Sequence, residues 1–355
     1  MANFKKILII QLGDIGDVVW TTPTLWAVKE AHPDAQVSIL VKEGCAELLE
    51  QDSSLYKVFE VRRYEGGALQ KGIKQIRFLK ALRRECFDLA IDLRAGDRGA
   101  IIAYLTGAPM RVSLLYRKGV PFWRHRLFTH LIDPPPADKR VRGAAEQSLR
   151  IVRGLGIKSR DTIPRLWISK EVGRRVQELL QNENIAGLKK WITLNPFSRW
   201  SYKEWSLDKW KEIIDWLWST YQIATVIIGA QEEKGRALAL SEKCGGSVYN
   251  MAGKITLSEL SGVLHLSYLH LGVDSAAPHI AAAVGTPTVT IYGPSDWYDW
   301  APVGSIHKVI VPDLECVPCH KKGCQGKGWS RCLEELTAKQ VQSEIQQAIE
   351  QVPSR

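Results

Sequence analysis

The feature that most restricts what this chain can fold into is an alternation of short apolar runs with amphipathic segments, carried through twice with one break between. Residues 6–12 (KILIIQL), 36–41, 57–61 and 88–93 are runs of strand length, rich in Val, Ile and Leu. Residues 18–31, 68–86 and 97–106, between and after them, have helical periodicity, with Pro23 near the first turn where proline is tolerated. Such repetition predicts a parallel sheet covered on both faces. The break is the stiff stretch Asp133-Pro134-Pro135-Pro136, a helix at 143–155 and a polar segment at 156–164. The alternation then restarts, with strands at 191–194, 224–229, 270–273 and 288–292 and helices at 208–221, 231–244, 256–264 and 275–284. Thr337 opens a last helix, with Gln340 as its capping-box partner and Val341, Ile345 and Ile349 on its buried face.

The expectation is therefore α/β, with two doubly wound domains at 1–160 and 165–335 and a C-terminal helix at 337–352 packing back on the first. At 355 residues the chain exceeds the roughly 250–300 at which a single core stops growing. Open α/β sheets bind ligands beyond the carboxyl ends of their strands, so a cleft between the domains is the expected site.

Charge narrows the class of partner. The net charge is +10; residues 1–165 hold 28 Lys and Arg against 18 Asp and Glu, and the rest of the chain holds 20 of each. A positive field confined to the first half fits an anionic membrane surface or a phosphorylated substrate. Nucleic acid is disfavoured, because the basic residues form no recognition module and few aromatics accompany them. No apolar run approaches the roughly 20 residues needed to span a bilayer, and the N-terminus lacks a secretory pattern, so a cytoplasmic location is expected. Seven cysteines in such a chain do not imply a disulfide framework.

Five stretches can carry chemistry. Residues 11–18 (QLGDIGDV) close the first strand with two glycines, in neither a dinucleotide nor a P-loop spacing. Asp17 there can cap the following helix or act as a general base; Asp14 is open to either role. In residues 271–279 (LGVDSAAPH) a strand ends and a helix opens on the small residues Ser275, Ala276 and Ala277, which suits a diphosphate or an ordinary cap. His279 follows one turn on. In residues 195–205 (NPFSRWSYKEW), Lys203, Arg199 and Ser198 can meet a diphosphate, while Trp205 and Trp210 read as helix core. Cys316, Cys319, Cys324 and Cys332 could hold a structural zinc or remain plain thiols. Residues 68–86 form a basic amphipathic helix, either packed on the sheet or contacting a membrane surface. Arg94, Arg98, Arg117, Lys118 and Arg124 suit phosphates on an acceptor.

Gly16-Asp17-Val18 with Thr22-Pro23, Lys203-x-Trp205, Gly272-Val273-Asp274-Ser275 with His279, Gly285-Thr286-Pro287 and Tyr292-Gly293-Pro294 together resemble the bacterial heptosyltransferases of glycosyltransferase family 9. Residues 96–100 and 323–326 are most similar to the branch that adds the third core heptose. The resemblance implies a GT-B architecture of two Rossmann-like domains, the first holding a lipopolysaccharide acceptor and the second ADP-heptose. It implies an inverting transfer needing no metal or other cofactor, at the cytoplasmic face of the inner membrane. Carried over by position, Asp17 is the catalytic base, Ser198 and Lys203 meet the donor phosphates, Glu232 meets the nucleoside, and Asp274, Ser275, Ala276 and His279 form the donor loop. Gln11 stands where the family commonly has Lys or Arg, and Ser275-Ala276 where Thr-Gly is commoner. The rivals are a transferase or epimerase using another nucleotide sugar, and a non-catalytic module that docks on anionic lipid.

Overall fold

The computed structural model describes residues 4–133 and 142–352; the prolines at 134–136 lie outside them. The chain divides into two compact units, Met1–Trp167 and Ile168–Arg355. In the first, strands β1 (Lys6–Gln11), β2 (Gln36–Lys42), β3 (Lys57–Val61), β4 (Leu89–Asp92), β5 (Met110–Leu114) and β6 (His130–Ile132) alternate with helices α1 (Ile15–Ala31), α2 (Ala68–Arg84), α3 (Asp97–Leu105), α4 (Phe122–His125) and α5 (Glu146–Arg153). The second opens on α6 (Lys170–Asn182). It continues through β7 (Trp191–Asn195), α7 (Leu207–Tyr221), β8 (Ala224–Ile227), α8 (Lys234–Lys243), β9 (Val248–Asn250), α9 (Leu257–Leu266), β10 (His270–Val273), α10 (Ala276–Ala283), β11 (Thr288–Ile291), α11 (Trp297–Trp300) and β12 (His307–Ile310). Two helices, α12 (Arg331–Glu335) and α13 (Ala338–Gln351), close it.

Each unit holds a six-stranded sheet, in the orders β3-β2-β1-β4-β5-β6 and β12-β11-β10-β7-β8-β9, parallel throughout. The chain starts each sheet at the centre, winds to one edge, then crosses to the other side of its first strand. The direction of winding therefore reverses between β1 and β4, and again between β7 and β10. At such a point neighbouring connections leave in opposite directions, and a crevice opens at the strand ends.

The central strands are buried on both faces, which is why they read as continuous apolar runs: Ile7, Leu8, Ile9 and Ile10 are all inaccessible. Four strands go beyond the sequence expectation. β5, β6, β9 and β12 are short, and they carry Arg111, His130, Asn250 and Lys308 at half-exposed or exposed positions, so they lack an apolar signature. Trp205 and Trp210 pack edge-to-face in the second core, ring centroids 4.9 Å apart, as expected of helix-core residues. The final helix, which the sequence expectation sets against the first domain, places Val341, Ile345 and Ala348 in that second core beside α7. In the first unit α2 is buried at one end only. Phe78, Leu79 and Leu82 reach the core, while Leu69, Ile73 and Ile76 stay exposed.

Replacing Trp210 with Ala removes a fully buried ring and its aromatic partner contact. The expected loss is about 3–5 kcal/mol, read as a lower denaturant midpoint. A change under about 1 kcal/mol would show that the Trp205–Trp210 pair does not anchor this core.

Candidate functional site

In each unit a group of the chemistry-bearing residues gathers where the winding reverses. At the β1–β4 point, β1 ends at Gln11 and α1 begins at Ile15, so the turn is completed in three residues. A Cβ on Gly13 would collide with the Asp17 carboxylate, so glycine is required there. Asp17 Oδ2 accepts the Asp14 N–H at 2.9 Å, and Oδ1 takes Arg94 Nη1 at 2.5 Å. The cap and a charged partner thus coexist: one oxygen closes the helix N-terminus and the other meets a guanidinium. The Asp17 side chain keeps 13 % of its surface open. Asp14 is instead committed to Lys42 on β2. Gln11 braces the turn from below, donating to Thr21 Oγ1 at 2.8 Å and accepting the Gly13 N–H at 3.1 Å. Arg94, arriving from the end of β4, supplies the cation that Gln11 does not.

Arg94 is itself fixed from beneath. Its N–H donates to Asp92 Oδ1 at 3.3 Å, and its carbonyl accepts Arg124 Nη2 at 2.5 Å. Arg124 Nη2 also meets Asp92 Oδ2 at 2.7 Å and Ser113 Oγ at 3.2 Å. Burial pushes the Asp92 carboxyl up to about 7, against the opposing pull of Arg124 and the Arg94 N–H. Arg124, expected among the acceptor contacts, is wholly inaccessible, so its guanidinium has no face to offer an acceptor. Its Nε and Nη1 have no hydrogen-bond partner; the guanidinium lies 5.1 Å from the Tyr116 ring centre and 5.0 Å from that of Phe128. Arg98, in the first turn of α3, and Lys118 are exposed, and exposed Arg117 pairs with Asp133.

At the β7–β10 point, Ser198 Oγ donates to the Asp274 carbonyl at 3.1 Å, and Lys203 Nζ meets Asp274 Oδ2 at 2.6 Å. Asn195 Nδ2 donates to Ser275 Oγ at 3.3 Å. Ser275 is the N-cap of α10 but makes no capping bond, so the first-turn N–H groups remain for a ligand. Ala276 and Ala277 put no bulk in front of them. The Ser198 loop is held by Glu204, which accepts the Ser198 N–H at 3.0 Å and pairs with both Nη atoms of Arg236 at 3.1 and 2.5 Å. Glu232 is exposed in the turn after β8, the strand next to β7.

His279 is buried in α10; burial lowers its pKa to about 4, with Asp274 raising it and Lys203 lowering it. It is a neutral ring under the Lys203–Asp274 pair. Asp92, Glu204 and Arg236 are residues of these two points that the sequence does not single out. Their only trace was a lone carboxylate closing an apolar strand and a Glu beside Lys203.

Cys316, Cys319, Cys324 and Cys332 line one depression of about 530 Å³, with Trp329 and Arg331. Among the described residues no group of three or more His, Cys, Asp or Glu is placed to hold a metal ion. The zinc option read from the cysteine spacing therefore finds no assembled ligand set.

The family model of glycosyltransferase family 9 (heptosyltransferase) matches residues 75–330. The chain belongs to glycosyltransferase family 9. It is a glycosyltransferase of the heptosyltransferase type, with the two α/β domains of the GT-B fold. Lipopolysaccharide heptosyltransferase 3 of Escherichia coli is 27 % identical over 293 residues, covering 81 % of this chain and 83 % of the relative. Lipopolysaccharide heptosyltransferase 2 of Escherichia coli K12 is 23 % identical, covering 96 % and 97 %. Among solved structures, the E. coli ADP-heptose lps heptosyltransferase II superposes with a TM-score of 0.78 at 18 % identity, over 98 % of this chain and 99 % of that one. The E. coli heptosyltransferase WaaC with ADP-2-deoxy-2-fluoro heptose gives 0.72 at 20 %, over 96 % and 99 %.

His279, His270 (lowered to about 3) and His307 (lowered to about 4) are neutral when folded and take up protons near pH 6.5 when unfolded. Between about pH 6.5 and 4 the unfolded chain binds more protons, so stability falls as pH falls through that window. Thermal midpoints should drop across it, and His279→Gln should make the drop shallower. An unchanged slope would show that His279 is not buried neutral.

Proposed function

We propose that this family 9 member transfers heptose from ADP-heptose to the inner core of lipopolysaccharide, with inversion at the anomeric carbon and without a metal. The carrying observation is the cation-and-amide cradle at β7–β10, in which Lys203, Ser198 and the open N-terminus of α10 converge on Asp274 and Ser275. An ammonium has three donors; one spent on Asp274 leaves others for a diphosphate. The curated relatives above are lipopolysaccharide heptosyltransferases, and one structural relative was solved with an ADP-heptose analogue. The more similar of them is a heptosyltransferase 3, which favours the third core heptose as the product.

Asp17 removes the proton of the acceptor hydroxyl as its oxygen attacks the anomeric carbon from the face opposite the leaving group. The bond to the diphosphate breaks, and ADP departs with the charge. Lys203, Ser198 and the α10 N–H groups stabilise that developing charge, so the diphosphate needs no bound cation. Glu232 takes the nucleoside, Asp274, Ser275 and Ala276 hold the donor loop, and His279 supports that loop from within. Arg94, Arg98, Arg117 and Lys118 meet acceptor phosphates, with Arg94 also holding the base in place. The acceptor is lipid-anchored, and no helix among the described residues is long and apolar enough to cross a membrane. A lipid-anchored acceptor and the basic first domain favour peripheral work at the cytoplasmic face of the inner membrane over work on nucleic acid.

Calorimetric titration with ADP, UDP and GDP tests the donor class: ADP should bind tightest, and preference for UDP or GDP would reassign the donor. Incubation with ADP-heptose and truncated core glycolipids should add one heptose by mass; no transfer to any of them would favour a non-catalytic module. Asp17→Ala should cut turnover roughly 10²–10⁴-fold with ADP affinity kept; normal turnover would make Asp17 a helix cap alone. Lys203→Ala should weaken ADP binding by roughly tenfold or more, and unchanged affinity would remove it from the donor site.

A further inference from the structure

We propose that the first half of α2 is a docking element for an anionic phospholipid surface. The proposal rests on the reading that the acceptor is lipid-anchored, and it names the element that brings the enzyme to the bilayer. Leu69, Ile73 and Ile76 recur at helical spacing, so they lie on one face, and they are 78, 42 and 54 % exposed. The other end of the helix is fixed: Leu82 is buried, and Phe78 and Leu79 pack on the core. The helix thus overhangs its own domain and leaves the leading part of its apolar stripe uncovered, at the cost that contiguous bare apolar surface carries in water.

Charge decides the occupant. Between Glu65 and Glu85 the sequence has Lys71, Lys74, Arg77, Lys80, Arg83 and Arg84 and no carboxylate, and Arg62 and Arg63 come just before. Glu85 is engaged by Lys57 at 2.8 Å, so it does not offset the leading half. Lys71, Lys74, Arg77 and Lys80 are all exposed. Three apolar side chains set among exposed cations match a bilayer interface: the apolar groups enter the acyl boundary while the long basic side chains reach back to phosphate headgroups. A second copy of the chain would bring the same cations against these, which repel.

The test uses the full chain and vesicles of phosphatidylcholine with and without phosphatidylglycerol, at low and at high salt. The intact protein should sediment with the anionic vesicles, release at high salt, and ignore phosphatidylcholine alone. Leu69→Ser/Ile73→Ser/Ile76→Ser should weaken that binding by at least roughly tenfold, and Lys74→Glu/Arg77→Glu by at least about fivefold per charge. ADP affinity and transfer to a soluble acceptor fragment, measured on the same samples, should stay at the level of the unmodified protein. Binding by both variants as strong as that of the intact protein, no binding by the intact protein, or a shift from dimer to monomer in the apolar variant would each overturn the proposal. Loss of ADP binding and transfer in the intact protein, with vesicle binding intact, would refute the heptosyl reading and leave the docking element standing.

Discussion

A parallel sheet wound outward from its middle must send two adjacent strands' connections to opposite faces, and only there does backbone at the strand ends lie uncovered. This chain does so twice, at β1–β4 and at β7–β10. The first point carries a carboxylate set in a tight glycine turn; the second carries a lysine, a serine and an open helix N-terminus. These charged and polar groups are affordable at those positions because each is paired locally while keeping capacity for a ligand. Elsewhere the strand interiors are closed and largely apolar, with buried exceptions such as Ser38, Thr193, Thr225 and Thr290.

The Asp92–Arg124 pair is buried on both sides. Taking both groups out of water carries a desolvation penalty that their attraction only partly offsets. Its return is positional. Asp92 accepts the Arg94 N–H and Arg124 donates to the Arg94 carbonyl, so the residue whose guanidinium holds Asp17 is clamped through its backbone. A Cβ on Gly99 would come within 2.5 Å of Asp92 Oδ1, so the glycine lets α3 settle on that carboxyl. The proposed base is thus oriented by a chain of contacts that ends in the buried core.

The central strands and most of the longer helices were legible in the sequence, because burial on both faces leaves runs rich in Val, Ile and Leu; α6 was not. The edge strands were not, since exposure at an edge removes the pattern. The residues at the β7–β10 point were legible as a motif, because a strand that runs into a helix through small residues leaves backbone N–H groups uncovered. The burial of Arg124 is not legible in the sequence: arginine is seldom fully buried, and nothing local announces that Asp92, 32 residues earlier, will meet it. Asp17 posed a choice between cap and base that spacing could not decide, because its second partner, Arg94, comes from another strand. The stripe on α2 was visible, but only the fold shows that one end of it is covered and the other is not.

The most direct measurement is a structure of the protein with ADP and a non-reacting acceptor analogue bound together. The account predicts an Asp17 carboxylate oxygen within about 3.2 Å of the attacking hydroxyl, the distance a general base needs, with the diphosphate on Lys203 and the Ser275–Ala276 N–H groups. A ternary complex in which another group holds that hydroxyl, with Asp17 still closed on Asp14 and Arg94 alone, would contradict it.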